Sequence, residues 1–329
     1  MKLALNQEWV VGNQIAGGGF GTVFEAEIVD GDKAAVNLKG EFMSSGAKQH
    51  YVPAALIGGF GKKSDHKRLR DAVVCWRRRE WAETLETSAE AIGWRVGMYR
   101  LQNPAEDLDP DVVDAVWKVI EPGISEAVRR FEDGMNTASE REWLVVYACM
   151  AGVRHPEFEP AINRWLAEQG KPGVSGDDVH RVRLEALENG LVPMRKWCWR
   201  ILHSPPEAPR FTINDRAWSY LPQLRSTAQG RRALYLPLSS RVAAVGWLGQ
   251  STGGLDHQTL RTNWVRWLNA VTWTTAPTFI AGHPDEANAL NVERTTNEVE
   301  KAMTLRIGSF QGITGKYLFD EVSEDAGLN

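Results

Sequence analysis

Thr137-Ala138-Ser139-Glu140-Arg141-Glu142-Trp143-Leu144-Val145-Val146-Tyr147-Ala148-Cys149-Met150 is the stretch on which the fold turns. Thr137 with Glu140 three positions later has the pattern of a capping box, in which each side chain satisfies an orphan amide at the helix start. Trp143, Val146, Tyr147 and Met150 then recur at spacings of three and four, the stripe an amphipathic helix buries. Upstream, residues 71–94 are rich in good helix formers, and Asp109-Pro110-Asp111 places an acidic residue before proline as a helix start does. Downstream, helices fit residues 160–168 and 177–189, the second stopping at Asn189-Gly190. Beyond Pro205-Pro206 the texture changes. Arg210-Phe211-Thr212-Ile213, Ala233-Leu234-Tyr235-Leu236 and Thr278-Phe279-Ile280-Ala281 read as strands, and Val242-Ala243-Ala244-Val245-Gly246-Trp247 is short and apolar enough for a buried one. Residues 259–271 return to helix. The expectation is an α+β protein: a mainly helical domain (helical over 64–204) with a small sheet from the later half (β-rich over 208–285), a tail over 286–329, and a β-hairpin in the first 42 residues.

Composition narrows the class. The chain has 329 residues, 43% hydrophobic and 24% charged, so it can bury a sizeable core and is not disordered in bulk. A net charge of −4 supplies no global attraction to nucleic acid and leaves room only for a local basic patch. The 14 tryptophans outnumber tyrosine and phenylalanine, and read as large packing anchors. The 3 cysteines (Cys75, Cys149 and Cys198) are far apart with no C-x-x-C pair, which suggests neither a disulfide framework nor a structural zinc site. No signal-peptide pattern opens the chain, and no run approaches the length of a spanning helix. A soluble cytoplasmic protein with no membrane partner is expected.

The opening Ile15-Ala16-Gly17-Gly18-Gly19-Phe20-Gly21-Thr22-Val23 resembles the glycine-rich loop of Ser/Thr protein kinases, in which backbone amides approach ATP phosphates because no Cβ blocks them. The departures decide against an active kinase. Ala16 stands at the first glycine, Asn37 stands where the phosphate-binding lysine belongs, and Lys39 is two residues too far along. No H-R-D loop and no D-F-G motif follow. Residues 9–39 therefore read as a truncated kinase-like hairpin, followed by a linker at 40–48. Met43 in that linker is a natural ancestral start.

From Lys48-Gln49-His50-Tyr51-Val52-Pro53, with Leu56 and Gly59-Phe60 behind it, the chain resembles the DUF4238 family, whose members open on an H-Y-V-P motif. Phe211-Thr212-Ile213-Asn214-Asp215 resembles that family's F-I-T-S-D strand end, with Asn214 at the usual serine. Leu236-Pro237-Leu238-Ser239-Ser240 resembles its P-L-S-P segment, and Leu268-Asn269 its late L-N pair. The motifs fall in family order over residues 48–283. The resemblance implies a helical middle, a β-rich later part and no assigned activity. A role in bacterial conflict or phage defence follows only by analogy with similar orphan families.

His50 and Asp215 sit at motif positions and are the residue types for an acid/base pair or a divalent-metal site. Tyr51, Asn214, Ser239 and Asn269 could add polar contacts to a substrate. In the competing reading the H-Y-V-P segment is a packing plug, with His50 donating to backbone carbonyls, and Asp215 caps a turn. The basic run from Lys62 to Arg79, including Lys67, Arg68 and Arg70 and punctuated by Trp76, fits phosphate contacts and stacking. It equally fits a solvated helix face paired with Glu80, Glu83 and Glu86. Val153-Arg154-His155-Pro156-Glu157-Phe158-Glu159 and Asp177-Asp178-Val179-His180 hold metal-type residues without ligand spacing, and read first as helix ends. Two functions stay open: a nuclease, metal-dependent through His50 and Asp215, or a non-catalytic sensor or adaptor that binds a protein or a nucleotide.

Overall fold

The computed structural model describes residues 9–18, 21–28, 48–62, 68–81, 83–106, 108–221, 233–248 and 255–286. Strands β1 (Trp9–Gly18) and β2 (Gly21–Ile28) pair antiparallel, closing at Gly18 opposite Gly21. Glycines of the glycine-rich segment thus close the two strands of the expected hairpin. Asp30 to Asp32, Asn37 and Lys39 lie outside the described residues.

The rest is a mixed α+β arrangement. Strand β3 (Lys48–His50) leads into the short helix α1 (Ala54–Gly58), and β4 (Val73–Arg78), β5 (Leu85–Ser88) and β6 (Trp94–Val96) follow. The helical block is α2 (Val112–Ile120), α3 (Ile124–Glu132), α4 (Ala138–Arg154), α5 (Phe158–Glu168) and α6 (Asp177–Met194). Then come β7 (Trp197–His203), β8 (Ile213–Asn214), β9 (Ser219–Leu221), β10 (Ala233–Pro237), β11 (Val242–Leu248), β12 (Asp256–Thr259), α7 (Thr262–Thr274) and β13 (Phe279–Gly282). One sheet has the order β12-β7-β11-β10-β9, a second β5-β4-β13-β8, and β3 pairs with β6 alone.

The capping box at Thr137 and Glu140 is formed, and α4 begins there. Helix α4 is the central column: Leu144, Val145, Tyr147 and Met150 are fully buried, and Trp143 stacks on Tyr147 at 5.2 Å. Trp117, Trp143 and Trp199 are core anchors, as the composition suggested, whereas Trp165 is 50% exposed.

Three expectations are corrected. The helical block does not begin near residue 64, because residues 73–96 form β4 to β6. Val73, Val74, Cys75 and Trp76 favour a pleated surface, and β4 is held by β13, two hundred residues away, with Gly282 opposite Cys75 and Phe279 opposite Arg78. The basic run therefore lies on a 3-10 turn (Leu69–Asp71) and a strand rather than a helix. Helix α6 does not stop at Asn189-Gly190 but continues to Met194. Gly190 is a packing position there, since a Cβ would sit 3.3 Å from the Cys149 sulfur of α4. Finally, residues 197–203, taken as the end of the helical region, are β7, which pairs with both β11 and β12.

Candidate functional site

Each residue of the K-Q-H-Y-V-P segment has a defined task. The Lys48 ammonium lies 4.3 Å from the Trp94 ring centre. Gln49 is buried, accepts the Tyr99 amide at 2.6 Å and donates to Asp111 Oδ1 at 3.3 Å. The His50 Nε2 donates to the carbonyl of Glu90 at 3.2 Å, since a carbonyl can only accept. Burial lowers the His50 pKa, against the opposing pull of that carbonyl, and favours the neutral ring. The His50 carbonyl accepts from Arg154, a fully buried guanidinium that also meets Glu121 at 2.7 Å and lies over the Tyr99 and Trp117 rings at 5.8 and 5.4 Å.

The next residue on each side makes a second rung. Tyr51 meets His155 edge to face, with ring centres 5.3 Å apart. His155 ends α4, and its carbonyl and that of Val153 accept from the buried Arg183 of α6. A cation at a helix C-terminus satisfies carbonyls that have no partner within the helix. The His155 Nδ1 accepts the Glu157 amide at 3.1 Å, so the neutral ring carries its hydrogen on Nε2. That nitrogen points at Asp215 Oδ2, 3.6 Å away, too long for an ordinary hydrogen bond.

Asp215 follows β8 and is 1% exposed. Its amide donates to the Phe279 carbonyl at 3.2 Å, and its Oδ2 accepts both the Thr278 amide at 3.0 Å and the Thr278 hydroxyl. Burial, with the Asp215 charge adding to it, holds the Tyr51 phenol well above the ordinary tyrosine value. Tyr51 is therefore a proton donor and not an activated nucleophile. Asp215 Oδ1 and His155 Nε2 are buried and have no hydrogen-bond partner among the described residues. Thr278 itself is exposed and Tyr51 half-buried, so the carboxylate lies one residue beneath the surface.

Asn214 shapes the turn that presents Asp215. Its amide donates to the Thr272 carbonyl at 3.1 Å and its Oδ1 accepts the Arg216 amide at 3.2 Å. Ala217 completes the turn at φ +61°, a left-handed conformation unusual for alanine. Arg216 pairs with Glu157, closing a bridge from this turn to the residues after His155.

The contacts therefore pair Asp215 with His155 and Thr278 rather than with His50, correcting the expected pairing of His50 with Asp215. Two other motif residues knit the fold. Ser239 donates to Glu132 at 2.7 Å and accepts the Arg241 and Val242 amides. Asn269 binds the Arg210 carbonyl at 2.8 Å and the Thr212 amide at 3.0 Å. Arg68 pairs with Asp71 and Arg70 with Glu90, while Lys67 lies outside the described residues. Burial pushes the Cys75 thiol up to about 11 and the Cys149 thiol to about 12, so neither is a thiolate near neutrality. Among the described residues no group of three or more His, Cys, Asp or Glu is placed to hold a metal ion.

Sequence reasoning missed His155, Thr278, Arg154 and Arg183 as members of the cluster. The R-H-P-E-F segment carried the signal for the first and third, but nothing local named their partners.

A helical column flanked by small sheets, with Tyr51, Thr278, Asp215 and His155 gathered where they meet, defines an α+β domain built around one polar cluster. The chain belongs to the DUF4238 family, described as proteins of unknown function, whose sequence model matches residues 48–286. No curated protein and no solved structure matches it. The matched region begins at the first residue of β3 and contains the whole cluster.

Proposed function

We propose that this protein binds single-stranded nucleic acid across the end of β4 and the Tyr51 face, with Asp215 as the acid–base group behind that surface. The observation that carries this reading is the bond from the Arg79 amide to the Thr278 carbonyl, 2.8 Å long. It sets the arginine- and tryptophan-bearing strand end directly on the residue that holds Asp215. Arg78 and Arg79 are exposed there. Arg78 lies over the Trp76 and Trp81 rings at 6.0 and 5.2 Å. Its contact with Glu80, 3.7 Å between two exposed side chains, does little to neutralise it. Arg95, also exposed, acts electrostatically on Tyr51. Guanidinium groups for phosphates, indoles for bases and a protonated phenol for an acceptor suit an anionic polymer with open bases.

Nuclease activity is the catalytic form of this reading, favoured by the bare Asp215 Oδ1, which could take a proton from an attacking hydroxyl or water. His155, whose Nδ1 accepts the Glu157 amide, turns an N–H, not a lone pair, toward Asp215. A divalent ion would therefore rest on the carboxylate and substrate phosphates alone.

Fluorescence anisotropy with labelled single-stranded RNA and DNA tests the binding. The double variant Arg78→Glu with Arg79→Glu should weaken affinity at least about tenfold at low salt, and wild-type affinity should fall steeply as salt rises. Unchanged affinity in the double variant overturns the reading. Incubation of the same RNA and DNA with Mg²⁺ or Mn²⁺ tests the catalytic form, which requires cleavage by wild type and none by Asp215→Asn.

A further inference from the structure

Far from Asp215 in the sequence, two histidines face each other across the edge of the five-stranded sheet. His203 ends β7, and His257 lies on β12, the one strand of that sheet paired parallel to its neighbour. The His203 Nε2 and His257 Nδ1 are 2.8 Å apart, and the rings stack with centres 5.1 Å apart. The His257 Nε2 is 3.0 Å from the Met135 carbonyl in the turn between α3 and α4.

The Met135 carbonyl can only accept, so His257 Nε2 carries a hydrogen, and in the neutral pair His203 Nε2 donates to His257 Nδ1. One added proton is accommodated, because the two rings can share it across the same N–H···N contact. With both rings protonated, two N–H groups and two positive charges would face each other across 2.8 Å.

We propose that the His203–His257 pair is an acid-released latch that fastens the edge strand β12 and the α3–α4 turn to β7. Among the described residues no other group is placed to rescue the doubly protonated form. Asp256 on β12 is drawn to Arg200 of β7, 3.6 Å away. Arg241, before β11, is spent on Ser204 and the carbonyls of Pro205 and Ala208. At the end of α3, Glu132 takes the Ser239 hydroxyl and Asp133 pairs with Arg129. Burial first, and His257 second, lower the His203 pKa from its ordinary 6.5. The latched state thus binds fewer protons than the released one. Its stability is complete above the ordinary histidine value and is lost as pH falls below it.

Hydrogen exchange of the full chain, followed by mass spectrometry and corrected for intrinsic rates, reads the latch directly. In wild type, exchange in peptides covering residues 255–261 and 133–137 should rise about tenfold between roughly pH 6.5 and roughly pH 5, while the α4 core stays protected. His257→Gln offers an acceptor and a donor in one amide that does not titrate, and should flatten that rise. Should that variant not fold, the ring-proton titrations of the two histidines in wild type serve instead. They must then be coupled, and each must move when the other is replaced. Exchange that is flat in wild type, equally steep in His257→Gln, or accompanied by independent titrations overturns the latch.

Discussion

Two buried charges stand on consecutive rungs of the same ladder and are treated differently. Arg154 is matched by Glu121 at 2.7 Å, by the His50 carbonyl and by two aromatic faces. Among the described residues Asp215 has Thr278 on one oxygen and no hydrogen-bond partner on the other, with His155 Nε2 at 3.6 Å. The Arg154 Nε also lacks a partner among the described residues, yet its charge is met by a carboxylate at hydrogen-bond distance, which is the signature of a structural brace. A buried carboxylate with a bare oxygen keeps a desolvation cost that a packed core has no reason to retain. The contrast sets His50 beside the matched charge and Tyr51 beside the bare carboxylate, although they are neighbours in one motif.

The largest expected effect is at the brace. Arg154→Met leaves Glu121 and the His50 carbonyl without their donor, and should cost about 3–5 kcal/mol in a denaturant unfolding experiment. Asp215→Asn keeps an acceptor for Thr278 and removes the uncompensated charge, so its cost should stay within about 2 kcal/mol by the same measurement. Equal losses in the two variants would break the contrast and make Asp215 a brace as well. Smallest is Tyr51→Phe, which deletes only the phenol hydroxyl and should change stability by about 1 kcal/mol or less. A clear loss of nucleic-acid affinity in Tyr51→Phe at that small stability cost would sharpen the division between the two residues.

Much of the fold was legible where the signals are local. The capping box at Thr137, the acidic-proline start before α2, and the apolar runs of β10 and β11 each reflect physics acting within a few residues. Residues 73–96 were not legible as strands. Their arginines, glutamates and alanines are good helix formers, and what overrides them is pairing with β13 at the far end of the chain. The site divides in the same way. Tyr51 and Asp215 stand in motifs visible from the sequence. His155 and Thr278 become members only through contacts spanning about a hundred residues or sixty, which no local pattern encodes.

The brace and the site share two dipeptides, His50-Tyr51 on one strand end and Arg154-His155 on one helix end, separated by 104 residues. Neighbouring residues leave the backbone in different directions, so neither segment can slip by one position without undoing both rungs together. The two dipeptides therefore form a composite word that must be spelled whole. A chain with His-Tyr but no later Arg-His would be expected to have parted with its anchor and its aspartate's companion in one step, a criterion for sorting sequences that needs no knowledge of the reaction.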